Sequence, residues 1–329
     1  MNYFVPVVDI KGTILMPTTL GRAKKWIKSG RATPFYNKGI LCIRLNEEIK
    51  DPKLQEVAVG IDPGSKKEGL TVKSKAHTFL NIQADAVTWV KDHIEARRDA
   101  RKFRRYRKTP CRKNRTNRSR GGLTPSTKAR WQWKLRLLNW FKKMYHISVV
   151  IVEDIKAITK GQKKWDTSFS PLEVGKNWFY NQLDRYVLKQ GWETKQMRDD
   201  LGLKKLSNKM SNDFHAHCVD SWVLANDAVS GHLTPDNKKV MLVRPLRFHR
   251  RQLHVFVPAK GNMRKRYGGT RSLGFKRGSL VRHVKHGLSY VGGVMRDRIS
   301  IHSLDGKRLC QNAKPTDCCF ITRLSWVVL

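Results

Sequence analysis

Residues 57–72 read VAVGIDPGSKKEGLTV. Five uncharged residues lead to a single acid, Asp62, which is followed at once by Pro63-Gly64. An apolar run without polar alternation is the pattern of a strand covered on both faces. The segments GLTVKS (69–74) and HTFLNIQADAV (77–87) follow closely, so three strands in succession predict an antiparallel meander. A later run, ISVVIVED (147–154), is again a buried strand, and it too ends in acids. If the two runs are neighbours in one sheet, Asp62 and Glu153 leave the same edge.

Carboxylates at strand ends stand out because the rest of the chain is so basic. The 329 residues include 67 Lys and Arg against 26 Asp and Glu, a formal charge of +41. Self-repulsion at this charge calls for a polyanionic partner, and nucleic acid is the expected one. The six cysteines, Cys42, Cys111, Cys218, Cys310, Cys318 and Cys319, contain no C-x-x-C pair, which excludes zinc-finger spacing and points to reduced thiols. Cys310 with Cys318 and Cys319 forms at most half of a metal site, and idle thiols are the better expectation. No signal peptide and no bilayer-length apolar run is found, so the sequence reads as soluble and cytoplasmic, with no membrane partner.

The remaining segments sort by pattern. Residues 1–50 read as a small N-terminal α/β domain. It has a strand FVPVVD, a turn at Lys11-Gly12, a basic helix TTLGRAKKWIKSGRATPF with Thr18 or Thr19 as cap and Gly30 as stop, and a second strand GILCIRL. A polar linker NEEIKDPKLQ precedes the core, whose first part spans 56–90. Residues 91–121 hold the run RRDARKFRRYRKTPCRKNRTNRSR (97–120), in which 13 of 24 residues are Lys or Arg. It reads as an arginine-rich helix that Pro110 ends, followed by a basic tail. An i, i+3, i+4, i+7 series makes a cationic stripe, with Arg97, Arg98, Arg101, Arg104, Arg105, Arg107 and Lys108 as candidate RNA-phosphate contacts and Phe103 and Tyr106 as anchors or stacking groups.

Residues 122–235 complete the core. STKARWQWKLRLLNWFKKMYH reads as an amphipathic helix, NWFYNQLDRYVLKQG as a helix stopped by Gly191, WETKQM as a strand, and NDFHAHCVDSWVLANDAV as a helix capped by Asn212 or Asp213. Residues 236–329 turn β-rich and glycine-rich, with short strands KVMLVRPLRF, QLHVFVP, GSLVRHV, LSYVGGVM, RISIHSL and CCFITRLSWVVL.

The last helix carries Asp220, with His217 three residues earlier on the same face. Packed on the sheet, it can bring Asp220 beside Asp62 and Glu153. Three carboxylates cannot share an interior uncompensated. Two Mg²⁺ ions, with Mn²⁺ as a substitute, resolve the conflict and supply the two-metal clamp used to cut phosphodiesters. Asp62, Glu153 and Asp220 are the candidate ligands and catalytic acids. His217 is a candidate catalytic residue that orients water or stabilises charge.

The segments VGIDPGSKKEGLTV, VVIVED and HAHCVDSWVLA resemble the three motifs of a RuvC-type nuclease, an RNase H-like fold. The basic run resembles the bridge helix of RNA-guided nucleases. VPVVDIKGTILMPTTLGRAKKWIKSGRA resembles the Pro-Leu-Met-Pro domain of the transposon-encoded IscB and IsrB families, with Ile14 in place of the first proline. GGTRSLGFKRGSLVRHV is similar to their C-terminal domain. IscB carries an HNH nuclease between the second and third motifs, but residues 154–213 contain no His and no Cys. The resemblance is therefore to the IsrB family. It implies an α/β fold with an RNase H-like (RuvC) core, an inserted bridge helix and a C-terminal β-rich target-interaction domain. It also implies a protein monomer that binds a long guide RNA and nicks the non-target strand of double-stranded DNA next to a short motif. Arg264, Lys265, Arg266, Arg271, Lys276 and Arg277 are the candidate DNA contacts, with RNA backbone as the alternative. Two further readings stay open: a stand-alone structure-selective endonuclease of the junction-resolvase type, and an inactive RNA-binding scaffold.

Overall fold

The computed structural model describes residues 4–106, 123–157, 170–246, 273–295, 297–304, 306–323 and 326–328. They divide into two compact units, Met1–Val243 and Arg244–Leu329.

The first unit opens with a sheet of order β2-β1-β4-β3, built from β1 (Phe4–Val8), β2 (Ile14–Thr19), β3 (Ala32–Asn37) and β4 (Ile40–Leu45). Helix α1 (Leu20–Lys28) is capped by Thr19, whose hydroxyl accepts from the Arg22 N–H. It ends at Ser29, with Gly30 just beyond at φ +71°. Two strands in this region depart from the sequence reading. Residues 14–17 belong to β2, which pairs with β1 through Ile14, Leu15, Thr18 and Thr19, and residues 32–37 leave the helix to form a hairpin with β4. Its two-residue turn, Lys38-Gly39, has both φ values positive, at +51° and +96°.

The larger sheet follows. β5 (Val57–Asp62), β6 (Lys67–Ser74) and β7 (Thr78–Asp85) form the expected antiparallel meander. Helix α2 (Trp89–Tyr106) comes next, then α3 (Pro125–Phe141), which buries Trp131, Trp133, Leu137, Leu138, Trp140 and Phe141. β8 (Val149–Asp154) runs parallel to β5. The stretch read as one long helix is two elements: α4 (Pro171–Tyr180) and then β9 (Tyr186–Gln190), which is parallel to β8. The stretch read as a strand, WETKQM, lies in helix α5 (Gly191–Asp200). A reciprocal pair of side-chain bonds between Gln190 and Glu193 starts that helix. Helix α6 (Phe214–Ala228) is capped by Asp213, which accepts from the His215 N–H at 2.8 Å. β10 (Val240–Pro245) was expected in the C-terminal β region. Instead Val240–Val243 extend this sheet, parallel to Asn81–Ala84. The strands of this unit thus lie in the order β10-β7-β6-β5-β8-β9.

The sheet is covered on both faces. Glu68 and Gly69 are consecutive on β6, so their side-chain positions face opposite ways. On one side Glu68 meets Lys134 of α3, and on the other Gly69 lies under α6. That double cover explains the unbroken apolar runs.

The second unit holds β11 (Ser279–His283), β12 (Gly287–Met295), β13 (Arg298–His302), β14 (Arg308–Ala313) and β15 (Cys318–Arg323) in an antiparallel sheet of order β14-β13-β12-β11-β15, with β16 (Trp326–Val328) after it. The sequence reading did not include β14 and merged β15 with β16. Phe275, Val281, Val291, Ile299, Ile301, Ala313 and Cys318 form the core, with Cys310 packed against it. Cys319 is exposed on the other side of β15, so the three thiols do not converge. No described helix is long and apolar enough to cross a membrane.

Candidate metal centre

Strand register places the first two acids. In the parallel pair of β5 and β8, Ile61 lies beside Val152, so the next residues, Asp62 and Glu153, stand side by side at the carboxyl ends of the two strands. Asp62 also lies opposite Gly69 of β6. Gly60, Asp62 and Gly69 share the face that α6 covers. A Cβ on Gly60 would fall 1.9 Å from the Ser221 carbonyl oxygen, and one on Gly69 would fall 1.9 Å from that of His217. The two glycines let the backbone of α6 lie directly on the strands, which brings in the third acid, Asp220. Asp62, Glu153 and Asp220 each offer a carboxylate oxygen, and these oxygens lie within 4.8 Å of one another. Among the described residues this is the one such cluster of His, Cys, Asp and Glu.

Two cations from outside the sequence-derived set enter the site. Arg198 of α5 donates from Nη1 to Asp220 Oδ1 at 2.7 Å. Lys205, in the loop between α5 and α6, donates to Asp220 Oδ2 and approaches Asp62 Oδ2 at 3.5 Å. Asp220 is 3% exposed. Their presence follows from a general rule, since buried acids need cationic or metal partners. No local pattern marks which Arg or Lys supplies them.

The charge balance stays uneven. Three carboxylates face two cations, and Glu153 Oε2 is buried with no hydrogen-bond partner. Burial pushes the Glu153 carboxyl up to about 7, helped by the negative charges of Asp62 and Asp220. Burial also raises the Asp62 carboxyl, opposed by Lys205 and reinforced by Asp220. Lys205 is held above the usual lysine value: burial acts against its charge, but the carboxylates of Asp62 and Asp220 outweigh it. Oxygen-only donors, an orphaned carboxylate oxygen and a surplus of negative charge fit a hard divalent cation.

Asp154, one residue on, faces away. It accepts from Lys176 Nζ at 2.7 Å and from the Tyr180 hydroxyl at 2.9 Å. Burial is outweighed by these bonds, so its carboxyl lies below its ordinary value. It anchors α4 and takes no part in the cluster. His217 lies one turn before Asp220 on α6, with Nε2 2.9 Å from the Lys209 carbonyl oxygen. It stays outside the ligand cluster and fastens the α5–α6 loop.

The basic candidates are placed in part. From Glu95 to Tyr106 every described side chain of α2 is exposed, including Arg97, Arg98, Arg101 and Arg105. Phe103 is 63% and Tyr106 87% exposed. The Arg104 side chain, Arg107 and Lys108 lie outside the described residues. Lys276 and Arg277 are half-buried in the turn before β11, where the Lys276 N–H donates to Ser279 Oγ. Arg264, Lys265, Arg266 and Arg271 lie outside the described residues.

The fold and site thus define an α/β protein with a three-carboxylate centre at the carboxyl ends of parallel strands β5 and β8. A model of the family described as RRXRR protein matches residues 5–165, just under half of the chain. The match takes in Asp62, Glu153 and α2 and stops short of Asp220. No curated protein matches the chain.

Proposed function

We propose that this chain is an RNA-guided DNA nickase of the IsrB kind, with an RNase H-like (RuvC) core, that cuts the non-target strand by metal-assisted phosphodiester hydrolysis. The observation that carries the reading is the convergence of Asp62, Glu153 and Asp220 from two parallel strands and a helix within a +41 chain. The matched family is associated with IscB- and IsrB-like arginine-rich nucleases, which supports the same class. The strand order β7-β6-β5-β8-β9, antiparallel then parallel, supports the reading of an RNase H-like core.

Asp62, Glu153 and Asp220 would hold divalent ions, which when bound polarise the phosphate and make a hydroxide nucleophile available near neutral pH. Arg198 orients Asp220 by fixing one of its oxygens. The exposed arginines of α2 hold phosphates of a long guide RNA, and the half-buried Lys276 and Arg277 lie in the unit that contacts target DNA. The protein acts as a monomer in the cytoplasm of a prokaryotic cell.

The test has two parts. RNA that co-purifies with the protein is sequenced, then used with Mg²⁺ to program cleavage of a duplex labelled separately on each strand. A discrete long RNA and a nick confined to the non-target strand are expected. Asp62→Ala should abolish the nick while RNA binding survives. Cleavage of branched DNA without RNA would favour a stand-alone resolvase, and RNA binding with no cleavage by the unaltered protein would favour a scaffold.

A further inference from the structure

Lys205 is unlike the other cation at the centre. Arg198 is on a regular helix, its side chain is 14% exposed, and it bonds Oδ1 of Asp220. Lys205 reaches in from a stretch with neither helix nor strand, its side chain is 37% exposed, and its ammonium spans Oδ2 of Asp220 and Oδ2 of Asp62. Each of those oxygens belongs to a different carboxylate of the cluster. An ammonium that bridges them lies between the two acids and supplies half the positive charge of a divalent ion.

The loop around Lys205 is fastened on both sides. His215 Nδ1 lies 2.9 Å from the Lys204 carbonyl oxygen, and the Leu206 N–H donates to the His215 carbonyl oxygen at 2.9 Å. Further along, His217 Nε2 lies 2.9 Å from the Lys209 carbonyl oxygen. The backbone beside Lys205 is therefore held to α6, while its four-carbon side chain has an open path to solvent. Lysine suits such a role, since its charge is a point on a flexible stem, whereas the Arg198 fork fixes geometry.

We propose that Lys205 is a displaceable internal cation: it neutralises Asp62 and Asp220 in the metal-free protein and must swing out for a divalent ion to bind between them, while Arg198 stays in place as the positioning residue of Asp220. This rests on the reading of Asp62, Glu153 and Asp220 as metal ligands. Metal affinity is then set by competition with a side chain of the same protein.

The test is direct Mn²⁺ binding to the full-length protein, read as free Mn²⁺ by electron paramagnetic resonance, for the unaltered chain and for Lys205→Gln, Lys205→Arg, Arg198→Gln and Asp62→Asn. Removing the competing charge in Lys205→Gln should tighten Mn²⁺ about tenfold. Lys205→Arg should not tighten it, and Arg198→Gln should weaken it. A second measurement uses no variant: acylation of Lys205 by a water-soluble anhydride, followed by peptide mass spectrometry, should rise severalfold on adding Mn²⁺, with surface lysines as internal controls. If Asp62→Asn leaves Mn²⁺ binding unchanged, the metal-centre reading itself has failed. If Asp62→Asn abolishes binding but Lys205→Gln binds no more tightly than the unaltered protein, or Lys205 acylation ignores Mn²⁺, displacement alone is overturned.

Discussion

Replacing Gly60 with Ala would show how closely the three-carboxylate centre depends on contact between helix and strand backbones. The added methyl would sit 1.9 Å from the Ser221 carbonyl oxygen and 2.9 Å from the Ala225 nitrogen. Both atoms are main chain, so no rotamer change relieves the clash. Ordinary contact begins at 3.4 Å, and α6 must retreat by about 1.5 Å to reach it. Asp220 moves with the helix, away from Asp62 and from the Arg198 and Lys205 bonds. Overpacking of this kind costs about 1–3 kcal/mol, which in a unit of this size lowers Tm by about 2–12 °C. A displacement on the order of 1 Å at reacting groups costs about 10²-fold in rate. The assays are thermal unfolding in EDTA, Mn²⁺ binding, and single-turnover cleavage at saturating guide and metal. Gly21→Ala on α1 is the control: nothing lies within 4 Å of its Cβ position, so it should be neutral or slightly stabilising. A Gly60→Ala protein with unaltered Tm and Mn²⁺ affinity would refute the account of how α6 is placed.

Three more outcomes follow from the same structure. Glu153 titrates near 7 in the folded protein against an ordinary 4.5. Between those values the folded state keeps a proton that the unfolded chain has lost, so in EDTA this group's contribution is fully present below 4.5 and fades as pH rises through about 7, by about 1–3 kcal/mol. Denaturant melts at pH 5 and 7.5 should show a pH difference that shrinks in Glu153→Gln and under saturating Mg²⁺, and equal slopes for both proteins would sink the assignment. Changing Arg97, Arg101 and Arg105 to Gln should weaken RNA binding and flatten the slope of log affinity against log salt by about 0.7–0.9 per lost contact, and a filter-binding salt series with an unchanged slope would count against α2 as the RNA site. Lys134→Met leaves the Glu68 carboxylate buried without its 2.7 Å partner and should cost about 3–5 kcal/mol, whereas combining Lys134→Met with Glu68→Gln should recover much of that in a urea titration.

The parts of the fold legible in the sequence were those where one physical demand dominates. β5 and β8 are buried on both faces, so their apolar runs are unbroken and the acids that end them stand out. α6 announces itself through the Asp213 cap. The parts that escaped answer to tertiary context. β9 is exposed at Tyr186, Val187 and Leu188, so it lacks the buried alternation of a strand and reads as helix continuing from α4. β2 contains Pro17, which demotes a run of this kind in any local reading. The β3–β4 turn uses a lysine at φ +51°, an unusual residue for that conformation. Of the site, the three acids were legible because they fall at element ends or on a capped helix, in order along the chain. Arg198 and Lys205 were not, because in a chain with 67 cationic residues two more carry no information until the fold brings them beside Asp220.

The order in which the centre's residues leave a ribosome has its own consequence. Asp62 emerges first, Glu153 next, then Arg198 and Lys205, and Asp220 last. At about 5–20 residues per second, roughly 8–30 s separate Asp62 from Asp220. From Glu153 onward the nascent chain holds two of the three acids, on strands that can already pair, and until Asp220 emerges it lacks the third. Both cations are synthesised before the third acid, so the crowded carboxylates never wait for their counter-charge. A chain halted before α6 would carry the whole of basic helix α2 but only two of the three acids.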